Sequence, residues 1–548
     1  MSADLTPEAL PPPDSRSELV RHTAVMSVGT ALSRITGFLR LAAIAYALGA
    51  ATRLADSYTV ANTTPNIVYE LVLGGILTSV FVPVFVEWIQ TKGREESWAV
   101  ARAVMTIALV VLTAIMIVSI AAAPWIASLY TVGVPAPQRA AESQLATFFL
   151  RWFMPQIVFY GLGAVAIGLL NAHRRFAVPM FAPILNNLIV IATMVAFALL
   201  QGAGSPTLIG ISDTQKYVLA IGTTLGVIAM TVALWPSLRA IGFRFSWRLE
   251  WRHPAVRRIA RLAIWTFVYV LANQAGLIVV IILGLGPAGY NAYTSAFILF
   301  QLPYAIFGVS IFTALLPAMS SRWTDRDTDG FRTFLGQGLR STAFIVVPAA
   351  LAYIVLAYPI VRLLLQHGRT TADQALLVAA VLKFFSLGLF SFAAFQLLLR
   401  AFYSMQDTRT PALINIAAVT LNTAVNFLFF FTFDLGVRGL ALGHATGYTF
   451  ATIVSIAVLR KRLGRIGGRT ILAGISKALI AGIVTAAAAW LTSEGLAALA
   501  GVDTVFEQSI QVLGSVVVGL LVFLGMAVLL RMEELELLRS ALRTRFRP

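Results

Sequence analysis

The stretch VMTIALVVLTAIMIVSIAAA, Val104 to Ala123, runs for 20 residues without a charge. At about 1.5 Å per residue such a helix is about 30 Å long, the thickness of the hydrocarbon core of a bilayer. Similar apolar runs fill the chain on both sides of it. They predict spans at 24–49, 62–90, 98–128, 143–171, 177–201, 216–241 and 257–284, then at 289–319, 333–365, 373–404, 411–433, 437–460, 470–492 and 508–531, each near or above the spanning length. Composition agrees: 58% of the residues are hydrophobic and 12% charged, against about 25% charged in ordinary soluble domains. The mean hydropathy is +0.83. The expected class is therefore all-α integral membrane, with about 14 transmembrane helices and little chain left for a folded domain outside the bilayer.

The formal net charge of +17 does not point to nucleic acid, because the basic residues fall in short clusters between apolar runs rather than along one soluble face. Alternate loops hold these clusters: Lys92 and Arg94, Arg174 and Arg175, Arg239 to Arg261, Arg322 and Arg326, Arg460 to Arg469, and the tail Arg539 to Arg547. The opposite loops hold chiefly Arg53, Arg139, Lys216, Arg369 and Arg438. This asymmetry predicts a multi-pass membrane protein with both termini in the cytoplasm. Cysteines introduced at Ser205 and Ser493 are then expected to react with an impermeant reagent, and one at Ser321 to be protected. The polar segment 1–21, with Pro11, Pro12 and Pro13, reads as a flexible cytoplasmic tail. The run after His22 lacks a bounded cleavage site and reads as a retained first span.

An internal repeat is visible. TSVFVP ending at Pro83 answers TALLP ending at Pro317, and the segment ending at Pro179 answers the one ending at Pro411. The offset of about 235 residues spans an even number of helices, so the two halves share one orientation, the parallel-repeat arrangement of many transporters. The expected organisation is a first lobe over 22–245, a second over 246–465, and two further helices with a basic cytoplasmic tail over 466–548.

Soluble-enzyme motifs fail on context. Gly284, Gly286 and Gly289 match GxGxxG, but a Pro-containing turn between two apolar helices replaces the strand and opening helix of a dinucleotide site. The histidines His22, His173, His253, His367 and His444 stand at no metal-ligand spacing, and the absence of cysteine removes thiolate sites. Gly439, Gly443 and Gly447 at four-residue spacing read as close helix packing. No metal, cofactor or catalytic set is expected, and the chain does not read as an enzyme.

Charges inside spans are more telling, since one at the bilayer centre costs at least about 2.5–3.5 kcal/mol and usually faces water or a partner. Arg34 and Arg40 lie in the first span, Arg151 in the fourth, Lys383 and Arg400 in the tenth; Asp56, Glu70 and Glu87 are the acidic counterparts. For Arg151, Arg400 and Glu87 the bland reading, a side chain reaching the interface, is favoured. Arg34 and Arg40, about 9 Å apart along a helix axis, read as projecting from a related face. Gly29 and Gly37 around Arg34 read as places where the helix bends or unwinds. Paired guanidinium groups suit a phosphate, and the competing reading is an internal ion pair with Asp56 or Glu70.

The motifs LSRITGFLR (Leu32–Arg40), LADSYTVANTTPN (Leu54–Asn66), FVPVFVEW (Phe81–Trp88), MPQIVFYGL (Met154–Leu162), LLNAHRRFAVPMFAPILNN (Leu169–Asn187), QLPYAIFGVSIFTALLP (Gln301–Pro317) and AFYSMQDTRTP (Ala401–Pro411), in this order, resemble the lipid II flippases of peptidoglycan synthesis (MurJ/MviN), within the multidrug/oligosaccharidyl-lipid/polysaccharide exporter superfamily. The wording TPNIVYELVLGG (Thr64–Gly75) is similar to actinobacterial members. The resemblance implies two six-helix lobes around a cationic cavity and two C-terminal helices forming a groove for a polyprenyl tail. It implies a cargo of lipid II, contact with membrane lipids and with cell-wall synthesis proteins, and a role in peptidoglycan biosynthesis and cell shape. Arg34, Arg40 and Asp56 fall on family positions tied to cavity function, with the arginines toward the pyrophosphate; Glu70, Asn62, Asn66, Gln301 and Arg400 are further cavity candidates. The chain departs from the family pattern at Leu41, Tyr69, Gly74 and Ile298, where charged residues are usual, so its cavity is less basic. The competing functions are flipping of another polyprenyl-linked oligosaccharide, multidrug export, and a non-transporting scaffold; cationic drugs call for buried carboxylates, the opposite of the first-span charges.

Overall fold

The computed structural model describes residues 16–71, 94–173, 175–201, 207, 210–251, 253–305, 315 and 319–536. Among them every regular element is helical. The chain forms two compact units, Met1–Gly286 and Pro287–Pro548. The first contains α1 (Arg16–Leu48), α2 (Arg53–Tyr69), α3 (Arg94–Tyr130), α4 (Ala136–Phe153), α5 (Gln156–Ala172), α6 (Ala177–Gln201), α7 (Asp213–Val232), the short α8 (Trp235–Ala240) and α9 (Pro254–Leu285). The second contains α10 (Tyr290–Pro303), α11 (Thr328–Leu365), α12 (Ala372–Ser386), α13 (Leu389–Ser404), α14 (Arg409–Phe427), α15 (Val437–Leu463), α16 (Gly468–Ala500) and α17 (Val505–Leu529).

Eleven spans among the described residues are long and apolar enough to cross a bilayer, and the bent pair α12–α13 makes up to 12. Two of the expected 14 do not enter this count. They begin as α2 and α10, and the remainder of 62–90 and most of 304–319 lie outside the described residues. Glu87 and the motif at Phe81–Trp88 lie there too, as do Gly74 and Ser205.

Helix starts are set by short polar side chains that meet orphan backbone N–H groups. Thr52 Oγ1 accepts from Ala55 N at 3.1 Å. Ser212 with Gln215 and Thr504 with Glu507 complete reciprocal capping boxes on α7 and α17, the S/T-x-x-E/Q pattern at work.

The repeat reappears in the helices. α3 and α11, of 37 and 38 residues, start about 235 residues apart, as the transporter repeat requires. Each half breaks its fourth span at matching places, between α4 and α5 at Met154–Pro155 and between α12 and α13 at Leu387–Gly388, the latter bent by 49°. Each half also passes from α-helix into a π turn in its second span, at Glu70–Leu71 and at Tyr304–Ala305, shortly after Pro65 and Pro303. Such turns are frequent at functional sites.

Within the first unit a buried cluster around Tyr58, Phe149, Phe153 and Phe197 forms the core. In the second, α16 and α17 pack on α11, where Phe344 meets Phe523 with ring centroids 5.0 Å apart. Their outward faces carry Leu479, Ile483, Leu491, Leu513, Val517 and Leu521, all largely exposed, as lipid-facing helices require. Ser493, by contrast, is buried, and its Oγ accepts from Gln511 Nε2 at 2.9 Å. It belongs to a helix interface, not to an accessible loop.

Small residues do the close packing. Cβ atoms at Gly443 and Gly447 would fall on the side chains of Asn426 and Asn422 of α14, so the glycine stripe is the helix contact its spacing suggests. Gly286, Pro287 and Ala288 form a turn between α9 and α10, which leaves the GxGxxG pattern as a helix connection.

Candidate functional site

The first-span arginines depend on how α1 is held. Asn187 of α6 is buried, and its Nδ2 donates to Ser33 O at 3.3 Å and to Thr36 Oγ1 at 3.1 Å. It thereby grips the two residues that bracket Arg34. α1 is continuous from Arg16 to Leu48, so Gly29 and Gly37 do not unwind it. They let α6 approach: a Cβ on Gly29 would lie 2.9 Å from Met180 Cβ, and one on Gly37 would lie 3.5 Å from Asn187 Nδ2. The two arginines also diverge. Six residues turn a helix through about 600°, leaving about 120° between them, and accordingly Arg34 is exposed while Arg40 is half-buried. Neither forms an ion pair or side-chain hydrogen bond among the described residues.

Arg40 looks onto a polar cluster of the first unit, its charge bearing on the hydroxyls of Tyr58 and Tyr160. Tyr58 is fully buried, shares a 2.8 Å hydrogen bond with Thr223 Oγ1, and stands edge-on to Phe149 and Phe153. Tyr160 donates to Gln156 Oε1 at 3.4 Å, Gln156 Nε2 donates to Thr224 Oγ1 at 3.2 Å, and Thr224 donates to Trp152 O at 2.9 Å. This chain of polar groups links α4, α5 and α7 behind the arginine.

On α2, Asn62, Asn66 and Glu70 recur every fourth residue and so share one face. Asn66 is exposed; Asn62 and Glu70 are half-buried. Glu70 pairs with neither Arg34 nor Arg40 among the described residues. Asp56 is fully buried in the first turn of the same helix. Leu41 is buried, an apolar residue in an apolar place. Tyr69 packs on Tyr160 with ring centroids 5.9 Å apart.

One pair escaped the sequence reading. Arg53, at the start of α2, donates to Glu142 Oε2 at 2.8 Å, to Leu285 O at 3.3 Å and to Gly286 O at 3.0 Å. Glu142 is fully buried. The guanidinium therefore neutralises a buried carboxylate and closes the C-terminal carbonyls of α9.

In the second unit Gln301 is half-buried on α10, Ile298 one turn earlier is exposed, and Arg400 and Lys383 are exposed on α13 and α12. The side chains of Gln301, Arg400 and Lys383 have no hydrogen-bond partner among the described residues. His444 is buried among Phe297, Phe300, Phe385, Phe392 and Tyr448, all with ring centroids within 5.9 Å.

The profile of the family described as "Lipid II flippase MurJ" matches residues 44–510. A lipid II flippase MurJ of Burkholderia cenocepacia is 30% identical over 452 residues, covering 81% of this chain and 84% of that protein. This chain belongs to the lipid II flippase MurJ family. A probable lipid II flippase MurJ of Vibrio cholerae is 29% identical over 437 residues, covering 77% and 79%. Among solved structures, one described as lipid II flippase MurJ in an inward closed conformation superposes with a TM-score of 0.73 at 22% identity, covering 93% of this chain and 99% of that one. An inward-facing multidrug resistance MATE transporter of the MOP superfamily reaches 0.64 at 16% identity, covering 79% and 96%. Both share the fold.

Several motifs that resemble the MurJ family serve the scaffold. In AFYSMQDTRTP, Asp407 accepts from Thr410 N at 2.9 Å and from Arg462 at 2.6 Å. Partial burial pushes its carboxyl up, but the hydrogen bonds from Thr410 and Arg462 prevail and hold it below the usual carboxylate range. In LLNAHRRF, His173 stacks on Trp98 at 5.1 Å and its Nδ1 meets Leu169 O at 2.9 Å. The ILNN end of the same motif supplies Asn187, the anchor of α1.

Proposed function

We propose that this protein carries lipid II, an undecaprenyl-pyrophosphate-linked muropeptide, from the inner to the outer leaflet of the bacterial cytoplasmic membrane. The observation that carries the reading is the family match over residues 44–510. The headgroup enters a cytoplasm-open cavity, the two halves rock, and the headgroup leaves outside while its lipid tail stays in the bilayer. Arg34 and Arg40 meet the pyrophosphate, with Asp56, Asn62, Asn66, Glu70, Gln301 and Arg400 as further cavity residues; among the described residues neither arginine pairs with Asp56 or Glu70, which supports this role over a salt bridge to either. The lobes are 22–245 and 246–465, the segment 466–548 adds the tail-binding helices, and both termini are cytoplasmic. The chain moves its cargo without chemical conversion, driven by membrane potential or an ion gradient; about 2.3 kcal/mol per charge per 100 mV is a sufficient source.

Depletion in cells tests the cargo. Lipid II should accumulate on the cytoplasmic face. Accumulation of a different polyprenyl-linked glycan, or of none, would overturn the assignment.

A further inference from the structure

Arg151, like Lys383, is an intramembrane cation that the transport reading leaves unused, and the structure gives Arg151 a setting. It lines a cleft of about 550 Å³ on the first unit, within the range of small-molecule sites. Two adjacent rows of α4 form the floor. Ser143, Thr147 and Arg151 recur at four-residue spacing as one row; Gln144, Phe148 and Trp152 form the next. Tyr217 of α7 closes one side, with its ring 5.3 Å from Phe148 and 5.6 Å from Trp152. The cleft therefore has a polar side of hydroxyls, an amide and a guanidinium, and an aromatic side.

The charge is uncompensated. No carboxylate lines the cleft, Arg151 has no hydrogen bond or ion pair among the described residues, and Asp213, on the helix that carries Tyr217, is engaged by Lys216 at 3.0 Å. Depth makes this costly. The span Ala136–Ala172 has 37 residues, about 55 Å of helix against about 30 Å of hydrocarbon, so its first turns extend past the boundary and Arg151, in the first half of the span, can reach up toward the headgroup phosphates. An unpaired cation at that level needs an anion or water. The molecules that surround a span at this depth are lipids, and a phosphodiester offers the planar oxygen pair that a guanidinium fork matches. The Ser143 and Thr147 hydroxyls and Gln144, on the boundary side of Arg151, face the phosphate and the headgroup beyond it, and the aromatic side faces the glycerol and the first acyl carbons.

We propose that Arg151 and its cleft bind the phosphodiester headgroup of an anionic phospholipid from the surrounding bilayer. The site is separate from the cargo-binding arginines and does not depend on the identity of the cargo. The full chain, purified in neutral detergent and titrated with phosphatidylglycerol, should take up one tightly held lipid by native mass spectrometry. Arg151→Gln should lower that occupancy at least about fivefold, while Lys216→Gln, which removes an equal charge beside the cleft, should leave it unchanged. Gln144→Leu, which alters no charge, should lower it about twofold and carries the test if the arginine variant does not purify. Equal losses in Arg151→Gln and Lys216→Gln would reduce the site to surface charge. Equal uptake of phosphatidylcholine would remove the anion preference, and displacement by millimolar inorganic phosphate would make it a free-anion site; either result overturns the proposal.

Discussion

Arg53 shows what a single residue can conceal. In the sequence it is one of the few cations of a weakly basic loop, and nothing near it suggests a partner. Its acceptors, Glu142, Leu285 and Gly286, lie 89, 232 and 233 residues away, so only the folded chain discloses the pair. Removing one member of a buried pair strands the other charge, at a cost of about 3–5 kcal/mol. Arg53→Ala should therefore lower the midpoint of thermal unfolding in detergent and reduce the amount of protein in the membrane. Glu142→Gln should cost less, because an amide tolerates burial better than a carboxylate, and the double variant Arg53→Ala/Glu142→Gln should recover part of the loss. A double variant no better than Arg53→Ala would mean that the α9 carbonyls, rather than Glu142, are the partners that matter. The arginines of the first span were legible for the opposite reason: a guanidinium inside an apolar run is conspicuous wherever the helix is packed. Their angular relation was also available from the 3.6-residue period, which separates positions 34 and 40 by a third of a turn.

At the level of elements, helices and their order were legible because every span needs about 20 apolar residues. Breaks were not. The fourth span of each half reads as one continuous run, yet it parts at Met154–Pro155 and at Leu387–Gly388. Glycine is the ambiguous letter here, since in a membrane helix it marks either a bend or a close contact. At Gly37 it marks a contact with room to spare, and at Gly388 a contact with none: a Cβ there would lie 2.5 Å from the backbone of Ala445. Gly37→Ala should therefore insert, fold and transport like the parent, whereas Gly388→Ala should fall sharply in stability as α12–α13 and α15 are forced apart. Protein level in the membrane and growth on the variant as sole copy report both. A Gly37→Ala protein that folds but does not transport would restore the hinge reading of the first span.

At the level of the whole molecule, orientation comes before mechanism, because the side from which a cargo is loaded can be named only once the side of the termini is known. Burial of Ser493 removes one natural labelling position, but Asp503 and Gln138 are exposed, as is Ser321. In this cysteine-free chain, cysteines at Asp503 and Gln138 should react with an impermeant thiol reagent on intact spheroplasts, and one at Ser321 only after lysis; the reverse pattern would invert the topology. With orientation fixed, the cargo can be tested through the difference between an arginine that recognises phosphate and one that only supplies positive potential. Lysine keeps the charge but replaces a planar fork of donors with a point charge. Arg34 is exposed and has no ion pair or side-chain hydrogen bond among the described residues, so Arg34→Lys should leave the fold intact and remove the fork. Arg40 is half-buried and its charge bears on Tyr58 and Tyr160, so Arg40→Lys changes a less open site than Arg34→Lys and should lower stability slightly. Both lysine variants should reach the membrane with the parent's labelling pattern and yet trap lipid II on the cytoplasmic face. If both transport normally, the cavity needs only net positive charge. If even Arg34→Ala and Arg40→Ala leave the precursor distribution unchanged, these side chains do not meet the cargo, and the pyrophosphate must be held by groups on other helices.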